Sequence, residues 1–359
     1  MKEEGWELLL VSADGREVQS ICRAEGVRHE VIPFVKGVNY VEDFISFWLL
    51  FQLIRKERPD VIHSYDSKAG FLGMLAGSLV GIPHRIHSIT EMPVHTKDPQ
   101  KGLTFLEKWT FSNATSLWVN STGMLSFFTS NSGIDADKFK LLGSGSTLGV
   151  DLEKFNRQVL KENHLVAATM RILPGENDFI ILAIGALTKR KGVEDLIAAF
   201  LKSKIVAKSK LVLIGTFEQE EESLSQETIQ TIREHPRVVQ IDWTDHVDHH
   251  LALADVLVHP SHEEGFSNVL LEAAAMQVPI ICSNCIGNAS FIKQQKTGLV
   301  FPVGEVTVLK EAMEFAYVKR DTLASYTDAL FEEVQAKYDR KVMRKLQVDA
   351  YRQLLKNQD

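Results

Sequence analysis

Short apolar runs alternate with longer amphipathic stretches along almost the whole chain. In the first half, Trp6–Ser12, His29–Ile32, Asp60–Ser64, Arg85–Ile89, Ser116–Val119 and Phe139–Leu142 predict strands. Val18–Glu25, Val41–Arg58, Lys68–Val80 and a stretch around Leu103–Phe111 predict helices between them, and a further helix is capped by Ser121. Gly81 and Pro83 stop the third of these helices. Such βαβ repetition predicts a parallel sheet covered by helices on both faces.

Residues 143–177 break this rhythm with a Gly- and Ser-rich turn, a charged segment and Pro174-Gly175-Glu176-Asn177, which places an interdomain connection there. A second α/β unit follows, with strands at Phe179–Ile184, Lys210–Ile214, Val238–Ile241, Val256–Val258, Ile280–Cys282 and Leu299–Phe301 and helices between them. Val306–Tyr317, Leu323–Lys337 and Lys341–Leu355 predict more helix than closing one such unit needs, so the last helix is expected to return to the first domain. The expected division is residues 1–150, a connection 151–177, a second domain 178–338 and a C-terminal helix 339–359.

A length of 359 residues agrees with two cores rather than one. The net charge of -7 speaks against a nucleic-acid partner held along a basic surface. Of three cysteines, Cys282 and Cys285 have C-x-x-C spacing, but no second pair completes a zinc site and Cys282 closes an apolar run, so both are read as structural. Met1-Lys2-Glu3-Glu4-Gly5 contains no apolar leader, and no apolar stretch has the roughly 20 residues that cross a bilayer. A cytoplasmic protein is expected. The most apolar stretch, Phe44–Ile54, precedes Arg55, Lys56 and Arg58 and is read as a buried helix before a membrane-surface one.

Ligands of an open parallel sheet bind beyond the carboxyl ends of its strands. In the second unit one strand exit stands out, His259-Pro260-Ser261-His262-Glu263-Glu264-Gly265-Phe266-Ser267-Asn268, leading into a helix that begins near Ser267 and carries Glu272. A helix start presents free N–H groups and a positive dipole end, which suits a diphosphate. Gly265 is expected to permit a close turn. Glu264 and Glu272, about 6 to 7 Å apart in depth along the axis, offer acceptors for two sets of hydroxyls.

This segment resembles the E-x7-E signature of family 4 retaining glycosyltransferases, which have the GT-B fold: two Rossmann-like α/β domains facing across a cleft. Asp255-Val256, Pro260-Ser261, Glu264-Gly265-Phe266, Glu272-Ala273, Pro279-Ile280 and Thr297-Gly298-Leu299-Val300 follow the family pattern in order and spacing. Arg58-Pro59-Asp60-Val61-Ile62-His63, Lys68-Ala69-Gly70, Gly81-Ile82-Pro83 and Gly149-Val150-Asp151 extend it to bacterial members that build surface polysaccharides or lipid-linked glycans. The resemblance implies that Glu264 meets the donor sugar, Glu272 the ribose, and Gly265, Phe266, Ser267 and Asn268 the sugar and diphosphate. In Gly185-Ala186-Leu187-Thr188-Lys189-Arg190-Lys191, the place of the diphosphate-binding base falls to Lys191, with Arg190 as a second contact. It further implies transfer of a hexose or N-acetylhexosamine from a nucleoside diphosphate, UDP foremost, to a glycan or lipid-linked acceptor. The acceptor's hydroxyl attacks from the front face, and no metal or other cofactor is required. A lipid-linked acceptor implies peripheral contact with the inner membrane face. His246, His249 and His250 look like a metal cluster, yet they are read as part of a polar turn beside Asp245 and Asp248.

The sequence departs from the family in several places. Ala186 stands where Arg is frequent, Leu148 where Asn is, and Ser290 near a usual Glu. Ser88-Ile89-Thr90-Glu91-Met92 lacks an expected basic group, for which Arg85 and His87 are the nearest substitutes. The chain also begins at what resembles the family's second strand, so a first βα unit is expected to be absent. These departures leave a catalytically silent partner subunit of the same fold as the alternative reading.

Overall fold

The computed structural model describes residues 4–356 except 36, 38, 66, 93–102, 174, 176–177 and 219–222. Pro174, Glu176 and Asn177 of the expected connection lie outside the described residues. The chain runs β1 (Leu9–Ser12), α1 (Arg16–Glu25), β2 (Arg28–Val31), α2 (Tyr40–Glu57), β3 (Val61–Ser64), α3 (Ser67–Val80), β4 (His84–Ile89), α4 (Phe105–Asn113), β5 (Ser116–Val119), α5 (Thr122–Asn131) and β6 (Phe139–Leu141). It continues through α6 (Glu162–Ile172), β7 (Phe179–Ile184), α7 (Val193–Lys202), β8 (Ser209–Ile214), α8 (Gln226–Glu234), β9 (Val238–Ile241), α9 (Val247–Leu253), β10 (Val256–His259), α10 (Asn268–Ala275), β11 (Ile280–Ser283), α11 (Ile286–Phe291) and β12 (Leu299–Phe301). Helices α12 (Val306–Val318), α13 (Arg320–Lys337) and α14 (Arg340–Lys356) close it.

Contacts divide the chain into two compact units, Met1–Asn120 with Leu125–Leu142 and Leu346–Asp359, and Ser121–Met124 with Gly143–Lys345. Helix α14 therefore starts in the second unit and ends in the first. There Tyr351 packs with Ile86, Trp118 and Trp6, and its hydroxyl meets Nδ1 of His63. The other ring nitrogen of His63 is 2.7 Å from Ser88 Oγ. In this apolar pocket burial lowers the His63 pKa to about 3, so the ring is neutral at physiological pH.

The first unit holds a parallel sheet in the order β3-β4-β5-β6 and a separate parallel pair, β1-β2. Helix α2 corrects the sequence reading of a buried segment. It buries only the stripe Ser46, Leu50 and Ile54, whereas Tyr40, Val41, Phe44, Ile45, Trp48 and Leu49 are exposed.

The second unit's sheet runs β12-β11-β10-β7-β8-β9, all parallel. Counted from β7, this is the doubly wound order 3-2-1-4-5-6 read from one edge, and the direction of winding reverses between β7 and β10. Its strands are buried on both faces: Ile180 and Leu182 point into one core cluster, Phe179 and Ile181 into the other. The segment read as connection contains a helix that the sequence did not reveal, α6, which buries only Ala168 and Ile172. The histidines read as a polar turn belong to the start and body of α9, and His249 and His250 are buried.

Candidate functional site

Strands β7 and β10 pair directly, Val256 with Ile181 and Leu257 with Leu182, so the loops leaving them are neighbours at the point where winding reverses. Two features lock these loops together. His262 N–H donates to Arg190 O at 2.8 Å. Gly192 has φ 71°, and a Cβ there would stand 2.1 Å from Pro260 O, so only glycine allows the approach. The same principle operates one strand over, where a Cβ on Gly215 would stand 1.9 Å from Gly185 O.

This approach delivers Lys191 to Glu264. Lys191 Nζ donates to Glu264 Oε1 at 2.5 Å, with both side chains largely buried. His259, the last residue of β10, places Nε2 3.2 Å from the same oxygen, within ion-pair range though off the line of a good hydrogen bond. Burial alone would raise the Glu264 pKa. His259 and Lys191 outweigh it and hold the carboxyl at about 2, ionised at any physiological pH.

The turn after Glu264 is not made by a left-handed glycine, since Gly265 does not have a positive φ. It is held from outside. Gly287, in the first turn of α11, donates its N–H to Glu264 O at 3.0 Å, and a Cβ on it would lie 2.6 Å from that oxygen. Ser267 stands at the N-cap of helix α10 but makes no side-chain cap, so the first-turn N–H groups are left without a capping oxygen.

The remaining sequence-derived residues divide. Phe266 turns its ring into the core against Phe291 and Tyr338, at centroid distances of 5.7 and 5.6 Å, so its backbone alone is left for a ligand. Ser267 is buried and Asn268 exposed. Arg190 offers its carbonyl to the β10 loop. Glu272 is half-buried one turn into α10. Burial raises its pKa to about 7; Lys154 and Arg340 pull it down and Asp248 pushes it up. Glu264 and Glu272 thus have opposite settings on one loop and helix. His259, Gly287, Lys154 and Arg340 were missed in the sequence. His259 had a signal, its place at a strand's carboxyl end, whereas the other three approach from segments far along the chain.

Neither substitute for the missing basic group serves that role. Arg85 donates to the carbonyls of Asn113, at 2.7 Å, and Ile82, at 2.5 Å. His87 is buried with Nδ1 2.9 Å from Ser64 Oγ. A shallow hollow lined by Gly185, Ala186, Lys191, His259 and Pro260 opens at the carboxyl ends of β7 and β10.

Lys191, Glu264 and the uncapped start of α10 thus gather at the reversal point of a doubly wound sheet, where ligands of such sheets bind. Family models agree. That for glycosyl transferases group 1 matches residues 170–329 and that for a glycosyl transferase 4-like domain matches residues 1–145, and the chain belongs to the family 4-type glycosyltransferases. It is 29% identical to the capsular polysaccharide biosynthesis glycosyltransferase CapM of Staphylococcus aureus, over 88% of this chain and 81% of that one. It is 24% identical, over 84% and 80%, to the Escherichia coli galactosyltransferase that uses UDP-Gal and a GlcNAc-diphosphoundecaprenol. The solved structure of Anabaena HepE with UDP and glucose superposes with a TM-score of 0.80 at 15% identity, covering 96% of this chain and 91% of that one. The fold is GT-B, and the protein is a glycosyltransferase.

Among the described residues, no helix is long and apolar enough to cross a membrane.

Proposed function

We propose that this glycosyltransferase moves a hexose or N-acetylhexosamine, with retention of configuration, from a UDP-sugar to a glycan or lipid-linked acceptor in surface polysaccharide synthesis. The observation that carries the reading is the meeting of Lys191 and Glu264 beside the uncapped start of α10, at the sheet's reversal point. CapM and the Escherichia coli enzyme, the latter named for a UDP-sugar donor and a lipid-diphosphate acceptor, support the substrate classes.

In this reading Glu264 accepts hydrogen bonds from donor-sugar hydroxyls and Glu272 from the ribose. The α10 amides receive the diphosphate together with Lys191 and Arg190. The bond from the sugar C1 to the β-phosphate oxygen breaks with its electron pair going to that oxygen. The acceptor hydroxyl forms the new bond to C1 on the same face, and its proton passes to the departing phosphate. Lys191 and the helix start stabilise the charge that develops there, the protein's main lever where no nucleophile is at hand. Because these groups already supply positive charge, transfer is expected to need no divalent ion and to persist in excess chelator.

Membrane contact fits the first unit's surface. Tyr40 is 86%, Phe44 67% and Phe105 68% exposed, with Trp48 and Trp109 beside them on α2 and α4, and exposed Arg55 and Lys56 end α2. Aromatic rings flanked by basic residues suit the interface of an anionic bilayer. The test is transfer from labelled UDP-hexoses to polyprenyl-diphosphate-linked saccharides, with the product's anomeric configuration read by NMR. An α-linked product from an α-linked donor is expected; inversion, or no transfer from any nucleoside-diphosphate sugar, overturns the reading.

A further inference from the structure

Helix α6 packs on α9, and the two helices bring three imidazoles together. His164 sits in the first turn of α6, His246 immediately before α9, and His249 one turn later on the same face of α9. One nitrogen from each ring lies within 4.8 Å of the other two. The ring centroids of His164 and His246 are 4.0 Å apart, and those of His164 and His249 5.3 Å.

We propose that His164, His246 and His249 form a binding site for one divalent transition-metal ion of the zinc, nickel or copper class. Three neutral imidazoles are a ligand set these ions favour, and calcium or magnesium disfavour. The set is supported from behind. Asp248 Oδ1 lies 2.9 Å from His249 Nδ1, close though not in line for a good hydrogen bond, and favours the tautomer that carries its proton there. That leaves Nε2 with the lone pair, the carboxylate-imidazole arrangement that commonly orients metal-bound histidines. At present this lone pair accepts the Lys161 N–H at 3.1 Å, a contact the ion must replace. Tetrahedral zinc needs nitrogens about 3.3 Å apart. Only His249 is buried, whereas His246 is exposed and His164 half-exposed, so both are free to close that gap by changing rotamer. No other described group pairs with the ring nitrogens of His164 or His246.

The site is separate from Lys191 and Glu264, and nothing in the transfer step runs through it. It stands beside Asp248, whose charge is felt by Glu272. An ion held there offsets part of that charge and stabilises the α6-α9 pair.

Zinc chloride titrated calorimetrically into the metal-free full chain tests the site, alongside His164→Gln, His246→Gln and Asp248→Asn. One equivalent should bind. The two histidine variants should weaken it at least about tenfold and the aspartate variant about tenfold. At one fixed zinc concentration the melting temperature should rise in the wild type and rise clearly less in the histidine variants. Since His246 is exposed, its variant should melt like the wild type without metal, which separates lost ligation from lost fold. Absence of stoichiometric binding overturns the proposal. So does binding unchanged in both histidine variants, or a cobalt complex with the thiolate charge-transfer band that Cys282 and Cys285 would produce.

Discussion

Lys191 and Glu264 are 73 residues apart in sequence and 2.5 Å apart in the structure. Each follows a strand at the reversal point of a doubly wound sheet, and each loop is held against its neighbour by a glycine that no larger residue can replace. The pair keeps a largely buried carboxylate ionised and a lysine fixed where a diphosphate would arrive. Both properties come from position, not from either residue alone.

Replacing Lys191 by Met should lower transfer by about 100-fold or more, the usual loss when a charge-stabilising donor is removed. It also leaves His259, 3.2 Å from Oε1, as the remaining neighbour of the Glu264 carboxylate named above. The folded-state pKa of Glu264 lies below its ordinary 4.5, at about 2, so its stabilising contribution is full above pH 4.5 and disappears as pH falls towards 2. Lys191→Met should shrink this acid-side loss, seen in urea melts between pH 5 and 2.

Glu272 has the opposite sign. Its pKa is raised from 4.5 to about 7, so the folded protein holds a proton that the unfolded chain has released. The penalty is absent below pH 4.5, grows as pH rises towards 7, and is complete above it. Glu272→Gln should therefore stabilise the ligand-free protein by about 1–3 kcal/mol at pH 8 and leave it unchanged at pH 4, by thermal melts. The same substitution should weaken UDP binding about tenfold at pH 8, since a charged acceptor for the ribose is lost. Equal stability of the two proteins at pH 8 would contradict the setting of Glu272.

Gly192→Ala forces a Cβ to within 2.1 Å of Pro260 O at a φ of 71°. It should cost at least about 2 kcal/mol and lower activity by separating the Lys191 and Glu264 loops. Gly81→Ala, also at positive φ but with nothing within 4 Å of the added Cβ, should cost stability without touching the site. Matching activity losses in the two variants would sink the account of how the loops are held.

The strands and most helices were legible because their apolar runs are strong and their boundaries carry Gly, Pro or capping residues. Ser116–Val119 and Phe179–Ile184 coincide with β5 and β7. Helix α6 was hidden because it buries just two residues, giving almost no periodic stripe. Helix α9 was hidden because His249, His250 and Asp248 count as polar in a sequence yet are buried in the fold. The motifs pointed to Glu264, Glu272 and Lys191, of which the structure brings Lys191 and Glu264 into contact. It did not show that Phe266 belongs to the core, that His259 shares the oxygen of Glu264 with Lys191, or that His164 joins His246 and His249. Those depend on segments far apart along the chain, which no local pattern encodes.

The most direct test is calorimetric titration of the full chain with UDP and UDP-sugars, beside Lys191→Ala and Glu272→Ala. The account predicts saturable one-to-one binding, weakened about tenfold or more by each substitution while the variants remain folded. Failure of any UDP, GDP or ADP sugar to bind, or binding that ignores both substitutions, would contradict the donor site.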